Sequence, residues 1–407
     1  MISLEDISQA HSVVAGVARH TTLRPSPSLS RLAGRAVLLK EEQTQRTGSF
    51  KLRGAYNMIR ALADAPPGAN NARSAGVVAA SAGNHAQGVA LAAQLCGLGA
   101  TIFMPAGASL PKVAATRGYG AKVLLGGDTI EYCMDAAAQW AERTGAVSVP
   151  PFDHPLIIAG QGTLGLEVQK DAPEAEVVVV PVGGGGLLAG VGAALGLSGA
   201  SIKVVGVEAA GSAGMTASLA AGHPKAVELG ATMADGIAVA CPSELTLQHA
   251  KAFAHDLVTV SEDEISQALV LCLERAKAVV EPAAAAGLAA VLAGRVGGSG
   301  PVVVVLSGGN VDPLLLVRLI DRGLGAAGRY LMMRIVLTDR PGALARLTRD
   351  LADRRLNVLA VEHHRVGPNL GVDKVEVVLT LETRDPDHRL EVVAGLQADG
   401  LDIDLLN

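Results

Sequence analysis

Four consecutive valines, residues 177–180, run directly into Pro181-Val-Gly-Gly-Gly-Gly-Leu-Leu-Ala-Gly190. A strand with one wet face alternates apolar and polar residues, whereas a short run that is apolar throughout reads as a strand covered on both faces. The pattern recurs at residues 76–81, 101–104, 122–125, 202–207 and 302–306, with Ala- and Leu-rich helical stretches between, such as 86–96. Strands alternating with helices predict an α/β fold with parallel sheet and helices on both faces. Each strand ends in a Gly/Ser-rich turn or a polar loop, and ligands in such folds collect at the carboxyl ends of strands.

Composition narrows the function classes. Apolar residues are 49% of 407, ample for a core, and the formal net charge is -5. That balance argues against a nucleic-acid or polybasic membrane surface, and 2% aromatic residues leave no stacking platform for single strands. The longest apolar stretch, 177–207, is broken by the glycine run, Ser198 and Lys203, so no membrane span is expected. Residues 1–20 show no charged start followed by an apolar run, so no signal peptide is expected. Cys96, Cys133, Cys241 and Cys272 form no Cys-x-x-Cys pair, which suits a reducing, cytoplasmic compartment.

The chain changes character near residue 325. About 30% of residues 329–407 are charged, against about 15% of residues 1–328. Arg322-Gly-Leu-Gly-Ala-Ala-Gly-Arg329 lies between them and reads as a linker over 322–328. The expected division is a domain over 1–321, with a smaller lobe at about 53–150, and a second domain over 329–407. The tail predicts strands at 330–338, 357–365, 374–382 and 401–406, with helices after Asp339-Arg-Pro-Gly342 and from Pro386 to about 398. That order, βαββαβ, is ferredoxin-like.

Four short segments carry chemistry. The glycine run between a buried strand and a helix start offers successive backbone N–H groups to a phosphate. It also contains Gly184-x-Gly186-x-x-Ala189, and Glu208 stands about 20 residues on, so a dinucleotide site of an NAD-dependent oxidoreductase is an alternative. In Thr47-Gly-Ser-Phe-Lys51 a lysine stands just inside a helix; only ten of the chain's 34 basic residues are lysine. Lysine, unlike arginine, can lose its proton and form an imine. Ser81-Ala-Gly-Asn-His-Ala-Gln-Gly88 joins a strand end to a helix start, where backbone N–H groups can hold a carboxylate, and Ser307-Gly-Gly-Asn310 follows a strand in the same way. Each of these turns is also compatible with an ordinary helix cap.

In this order the segments resemble the threonine/serine dehydratase family, pyridoxal-phosphate enzymes of the tryptophan-synthase-β fold type. The likeness rests on Gly48-Ser-Phe-Lys51-Leu-Arg-Gly54, Ser81-Ala-Gly-Asn-His85, Gly183-Gly-Gly-Gly-Leu187 and Ser307-Gly-Gly-Asn310, and Ala234-Asp-Gly-Ile-Ala238 and Glu281-Pro-Ala-Ala-Ala285 look like further family segments. It covers the first 320 or so residues and implies two parallel-sheet α/β lobes. The tail, through Asp339-Arg-Pro-Gly-Ala-Leu344 and Asn357-Val358, resembles an ACT domain, a small-ligand regulatory module.

The resemblance implies roles. Lys51 would hold pyridoxal phosphate as a Schiff base and, once released by the substrate, remove the Cα proton. Phe50 would pack near the ring, Asn84 would bond its 3′ oxygen, and Ser307 would face its nitrogen. Gly183, Gly184, Gly185, Gly186 and Leu187 would hold the phosphate. Ser81, Ala82, Gly83, Asn84 and His85 would receive the substrate carboxylate. A hydroxyl at the ring nitrogen makes a weaker electron sink than a carboxylate-held pyridinium and favours quick β-elimination.

Within the family, racemases carry a second serine where this chain has Ala82, which cannot carry a proton, so a dehydratase is expected. L-Threonine, giving 2-oxobutanoate and ammonia, is the expected substrate and L-serine, giving pyruvate, a weaker one; a 3-hydroxyaspartate dehydratase is the runner-up. Some relatives bind a cation where Glu208 and the Ser212 carbonyl stand here, but the third position is Gly214, so a monovalent ion is the expectation there if any. ACT-like modules place effectors near Gly342 and Asn357; isoleucine inhibition would suit a biosynthetic role. A homo-oligomer is expected, and an effector-binding protein without catalysis is the alternative of a different class.

Overall fold

In a computed structural model, which describes residues 1–66, 68–365 and 370–406, every all-apolar run becomes a strand. In chain order the strands of the first unit, Met1–Leu316, are β1 (Leu23–Pro25), β2 (Val37–Lys40), β3 (Val77–Ala80), β4 (Ala100–Met104), β5 (Lys122–Leu125), β6 (Val147–Ser148), β7 (Val177–Pro181), β8 (Lys203–Ala209), β9 (Asp256–Val260) and β10 (Val302–Val305). They form two sheets, ordered β1-β2-β10-β7-β8-β9 and β5-β4-β3-β6. All pairings are parallel except β1 with β2 at one edge. These are the two parallel-sheet lobes expected from the sequence, the smaller sheet falling within the lobe placed at about 53–150.

Burial explains why β7 and β10 carry no polar residues at alternate positions, whereas β5, read as covered on both faces, has no buried residue. In the large sheet β10 lies between β2 and β7, with Val302 opposite both Val37 and Val177, and Val302 through Val305 are wholly inaccessible. The small sheet packs Val77, Ala79, Ile102 and Met104 against Leu52, Ile59 and Val89 of the flanking helices Lys51–Asp64 and Asn84–Leu95.

Glycine sets the helix layer. Helix Gly186–Leu197 crosses helix Pro155–Asp171 where Gly190 meets Gly162; a Cβ on Gly190 would lie 2.5 Å from the Gly162 nitrogen and from the Ile158 oxygen. Real Cβ atoms do not approach backbone so closely, so this crossing requires glycine.

The second unit, Val317–Asn407, holds β11 (Tyr330–Thr338), β12 (Asn357–His364), β13 (Lys374–Glu382) and β14 (Asp402–Leu405). They form one antiparallel sheet in the order β12-β13-β11-β14. Leu331, Met333 and Ile335 of β11 and Val375, Val377, Leu379 and Leu381 of β13 point inward with Leu347 and Leu351 of helix Ala343–Asp353 and Val392 and Leu396 of helix Pro386–Ala398. The βαββαβ order is the one read from the period-two alternation.

The stretch 322–328, read as a linker, is helical as far as Ala326, within helix Pro313–Ala326. Its glycines each cost a helix about 1 kcal/mol relative to alanine, but Leu319 and Gly323, one turn apart, are both buried, and that packing carries the helix through.

Candidate active site

The large sheet places the carboxyl ends of β2, β10 and β7 side by side. The chain leaving β2 returns as the Thr47–Lys51 segment, that leaving β10 is the Ser307–Asn310 turn, and that leaving β7 is the glycine run. The Phe50 N–H donates to the Ser307 oxygen at 3.1 Å and the Gly309 N–H to the Gly48 oxygen at 2.9 Å, with Ser49 bridged antiparallel to Gly308. Two segments some 260 residues apart thus become one short ribbon, with Lys51 as the first residue of helix Lys51–Asp64.

Lys51 reaches the segment that packs on the glycine run. Its Nζ donates to the Pro151 oxygen at 2.9 Å and lies 5.2 Å from the Phe50 ring centroid. The next residue, Phe152, fills the space where Gly184 and Gly186 would carry side chains. Gly185 adopts φ +87°, and a Cβ there would also run into the Met215 methyl. Gly183 lets the Ile237 backbone approach; a Cβ would sit 2.9 Å from its Cα. Helix Gly186–Leu197 begins at once, so its first N–H groups, including that of Leu187, have no intrahelical partner.

The fourth segment comes from the small sheet. β3 ends at Ala80, and helix Asn84–Leu95 begins behind Gly83, its N-cap, without a side-chain capping bond. The cap reading of this turn therefore fails at Asn84, whose side chain is engaged elsewhere. Asn310 Nδ2 donates to the Thr47 oxygen at 2.7 Å and to Asn84 Oδ1 at 2.8 Å, and Asn84 Nδ2 donates to Glu281 Oε1 at 2.7 Å. The Gly83 N–H donates to Ser81 Oγ at 3.2 Å, and His85 Nε2 bonds the Val149 oxygen at 2.8 Å. Ala82 completes this turn, half-exposed like Ser81 and Gly83.

Charges in this pocket are displaced from their ordinary values. Burial lowers Lys51 to about 8, opposed by the negative charge of Glu281. Burial, reinforced by the positive charge of Lys51, lowers His85 to about 3, so the ring is neutral and donates to Val149. Glu281 is raised to about 7, first by burial and then by Asp235, against the favourable pull of Lys112, Asn84 and Lys51.

A buried ion network braces the first turn of the lysine helix. Arg53 donates to both oxygens of Glu42, at 2.9 and 2.8 Å, and to both of Glu167, at 2.7 and 3.0 Å. Lys40 Nζ lies 2.6 Å from Glu167 Oε2. All four side chains are buried.

These residues fit a phosphate-bearing aldehyde cofactor. The Pro151–Phe152 segment joins a glycine run at a helix start to a lysine lowered to about 8. Two hydroxyls of the same ribbon, Thr47 Oγ1 and Ser49 Oγ, are buried without a hydrogen-bond partner, which a protein avoids unless a bound group or water meets them. Ser307, 4% exposed, stands beside Phe50 at the end of β10.

The dinucleotide reading fails on Glu208. A ribose-binding acid must face its ligand, yet Glu208 is wholly buried and its oxygens accept from the Met215 N–H at 2.8 Å, the Thr216 N–H at 2.9 Å and the Thr216 hydroxyl at 2.6 Å. It holds the start of helix Gly214–Ala221. Ser212, buried, donates to the Ile237 oxygen at 3.4 Å. Among the described residues no group of three or more His, Cys, Asp or Glu is arranged to hold a metal ion, and no helix is long and apolar enough to cross a membrane. In the second unit Gly342 starts helix Ala343–Asp353 at φ +84°, and Asn357 opens β12 with its amide 3.1 Å from Glu382 Oε2.

Sequence reading missed several residues of this pocket. Pro151 and Phe152 contribute a backbone oxygen and a ring, which leave no sequence signature. Lys112 pairs with Asp235 at 2.8 Å and reaches to 3.6 Å of where a Gly83 Cβ would be. Glu281 stood in a segment already noted, but only its burial beside Asn84 reveals a part in the site.

Comparison with known proteins agrees with this geometry. Residues 14–308 match the family described as pyridoxal-phosphate dependent enzyme, and residues 332–396 match the ACT domain. The chain is 45% identical over 403 residues to the L-threonine ammonia-lyase of Thermotoga maritima, covering 99% of both. Its fold is similar to threonine deaminase isoform 2 from Solanum lycopersicum, with a TM-score of 0.72 at 34% identity over 78% of this chain and 93% of the other. It is similar to maize serine racemase with a TM-score of 0.73 at 33% identity over 79% and 98%. With the lysine, the glycine run and Asn84 all inside the family match over residues 14–308, and the ACT match over residues 332–396, this chain belongs to the pyridoxal-phosphate dependent enzymes and carries a C-terminal ACT domain.

Proposed function

We propose that the protein is an L-threonine ammonia-lyase, converting L-threonine to 2-oxobutanoate and ammonia, with L-serine to pyruvate as a weaker activity. The observation that carries this reading is the likeness to the Thermotoga maritima enzyme of that name, which extends over both units at 45% identity. The racemase reading is disfavoured by Ala82, which has no proton to exchange on the face opposite Lys51. A 3-hydroxyaspartate substrate would need a cation for its second carboxylate; Lys112 is engaged by Asp235.

The residues divide the work as follows. Bound pyridoxal phosphate supplies an electron sink for the Cα–H bond of an amino acid. The N–H groups of Gly183 to Leu187 hold its phosphate at the positive end of helix Gly186–Leu197. Asn84, with one amide hydrogen committed to Glu281, has the second for the ring oxygen. Ser307 offers a hydroxyl to the ring nitrogen, and Phe50 lines the ring. The turn Ser81–His85 receives the substrate carboxylate, with neutral His85 fixing the turn to Val149. Lys51 takes the Cα proton, which only an unprotonated amine can do. The β-hydroxyl leaves with a proton as water, one water returns when the released imine is hydrolysed, and the net products are oxo acid and ammonia.

Further parts of the proposal concern regulation and setting. The ACT unit binds an amino-acid effector near Gly342 and Asn357, supported by the left-handed turn at Gly342, which keeps the loop after β11 open. A monovalent cation beside Glu208, with the Ser212 carbonyl, is supported by burial, which raises Glu208 above the usual carboxylate range and which a cation would offset. The setting is a reducing, cytoplasmic compartment, supported by four cysteines that are all free.

The test is the visible spectrum of the purified protein with pyridoxal phosphate, before and after L-threonine, with oxo acid assayed in the same cuvette. The expected result is a visible band that shifts as 2-oxobutanoate forms, both abolished by Lys51→Ala. A band that shifts without oxo acid, or turnover that survives Lys51→Ala, overturns the reading.

A further inference from the structure

Glu281 has no part in the reaction as described, yet it is the acidic side chain most deeply set in the pocket. It is 4% exposed and precedes helix Pro282–Leu292 as its N-cap residue without making a side-chain capping bond. A glutamate there would ordinarily turn back to its own helix or out to water; this one reaches into the site and accepts from Asn84 Nδ2 at 2.7 Å.

Backbone fixes the direction of that bond. The Thr47 carbonyl can only accept, so the Asn310 atom 2.7 Å from it is the amide nitrogen. That nitrogen also donates to Asn84, so the Asn84 atom 2.8 Å away is the oxygen. The Asn84 nitrogen is then the atom facing Glu281. One carbonyl thereby orients two amides, and the chain of bonds ends on the Glu281 carboxylate.

The surrounding backbone is shaped around this carboxylate. A Cβ on Gly308 would run into Glu281 Oε1 and lie 3.1 Å from Asn84 Nδ2, so the first glycine of the Ser307 turn is required by this bond. The Glu281 N–H donates to the Gly308 oxygen at 3.1 Å, and Gly236 would place a Cβ 3.6 Å from Oε1. Three segments therefore close on one carboxyl group.

We infer that Glu281 is a positioning residue of the cofactor site, which together with Asn310 clamps the Asn84 amide so that one N–H stays directed at the cofactor's ring oxygen, and whose negative charge faces Lys51. The inference rests on the reading in which Asn84 meets the ring. The charged groups around Glu281 are Lys51, Lys112 and Asp235, and the His85 ring near Lys51 is neutral. With Glu281 raised to about 7, its charge is present above that pH and lost below it. Asn84 keeps its acceptor in both states, but Lys51 loses its counter-charge in the acid one.

The experiment compares wild type, Glu281→Gln, Glu281→Ala and Asn84→Ala, each stripped of cofactor and titrated with pyridoxal phosphate. Two quantities are read: the dissociation constant, and the pH dependence of the bound cofactor's visible band. Loss of one hydrogen bond to a fixed partner predicts that Asn84→Ala and Glu281→Ala each weaken binding by about tenfold. Glu281→Gln keeps an acceptor of the same size, so its affinity stays within about threefold of wild type, while the band loses its inflection near pH 7. If Asn84→Ala weakens binding and Glu281→Ala does not, Glu281 does not act through Asn84 and the inference is wrong. An inflection unchanged in Glu281→Gln overturns it independently, even if Glu281→Ala fails to fold. Wild-type affinity in Asn84→Ala would instead overturn the placement of Asn84 at the ring.

Discussion

Lys51 is predicted to titrate far below an ordinary lysine, and the size of the effect follows from its surroundings. Its amine is enclosed beside Pro151 and Phe50, and burial lowers it from 10.5 to about 8 although Glu281 pulls the other way. At pH 7 a lysine titrating at 10.5 is unprotonated in about one molecule in three thousand; at 8 the fraction is about one in ten. The pocket therefore raises the concentration of the reactive base by about 300-fold before any chemistry begins. Competitive acylation of the cofactor-free enzyme measures this directly. Trace reagent is applied across pH 6–11 (a range spanning both values), and the extent of labelling of the Lys51 peptide is read by mass spectrometry against the same peptide from urea-unfolded protein. The expected native midpoint is about 8, well below that of the unfolded chain. In Glu281→Gln it moves lower still, because the opposing charge is gone. A native midpoint equal to the unfolded one would refute the claim that burial prepares this lysine, as would an upward shift in Glu281→Gln.

Three more outcomes are expected. Arg53→Met leaves Glu42 buried without its cation and Glu167 with Lys40 alone, a loss of about 3–5 kcal/mol; thermal unfolding should fall by roughly ten degrees, while a loss below about 1 kcal/mol would mean the network is worth no more than a surface pair. Gly185→Ala forces a Cβ onto a left-handed backbone, costing about 1–2 kcal/mol, so pyridoxal phosphate affinity should drop about tenfold; unchanged affinity would remove the glycine run from the phosphate site. His85, lowered to about 3 by burial and the Lys51 charge, should show no ring titration between about pH 5 and 8 in NMR spectra of the native protein, and a midpoint in that window would show that the turn is wetter than its geometry implies.

Legibility in the sequence followed the range of the interactions involved. The strands Tyr330–Thr338 and Lys374–Glu382 could be placed to the residue because period-two alternation is local and the turns beside them contain Gly or Pro. The four site segments could be found because a phosphate cradle, a lysine behind a turn and a strand-to-helix junction each have a residue signature of their own. Residues 322–328 could not, since three glycines look like a linker until the burial of Leu319 and Gly323 is known. Glu208 was legible as a strand-end acid, but whether it faces a ligand or its own helix depends on where Met215 and Thr216 fall. Glu281 was legible only as the first residue of a family-like segment, and its reach to Asn84, 197 residues away, is invisible to any local pattern.

By itself, then, the sequence determined the class of fold, the order of its elements and the segments that make up the candidate site, because apolar periodicity and glycine's backbone freedom act over a few residues. Only the tertiary structure decided which strand ends meet, which way Asn84 points and how far Lys51, His85 and Glu281 depart from their ordinary protonation. Desolvation and Coulomb forces depend on distance in space, and the chain brings Phe50 to Ser307 and Asn84 to Glu281 only when it closes on itself.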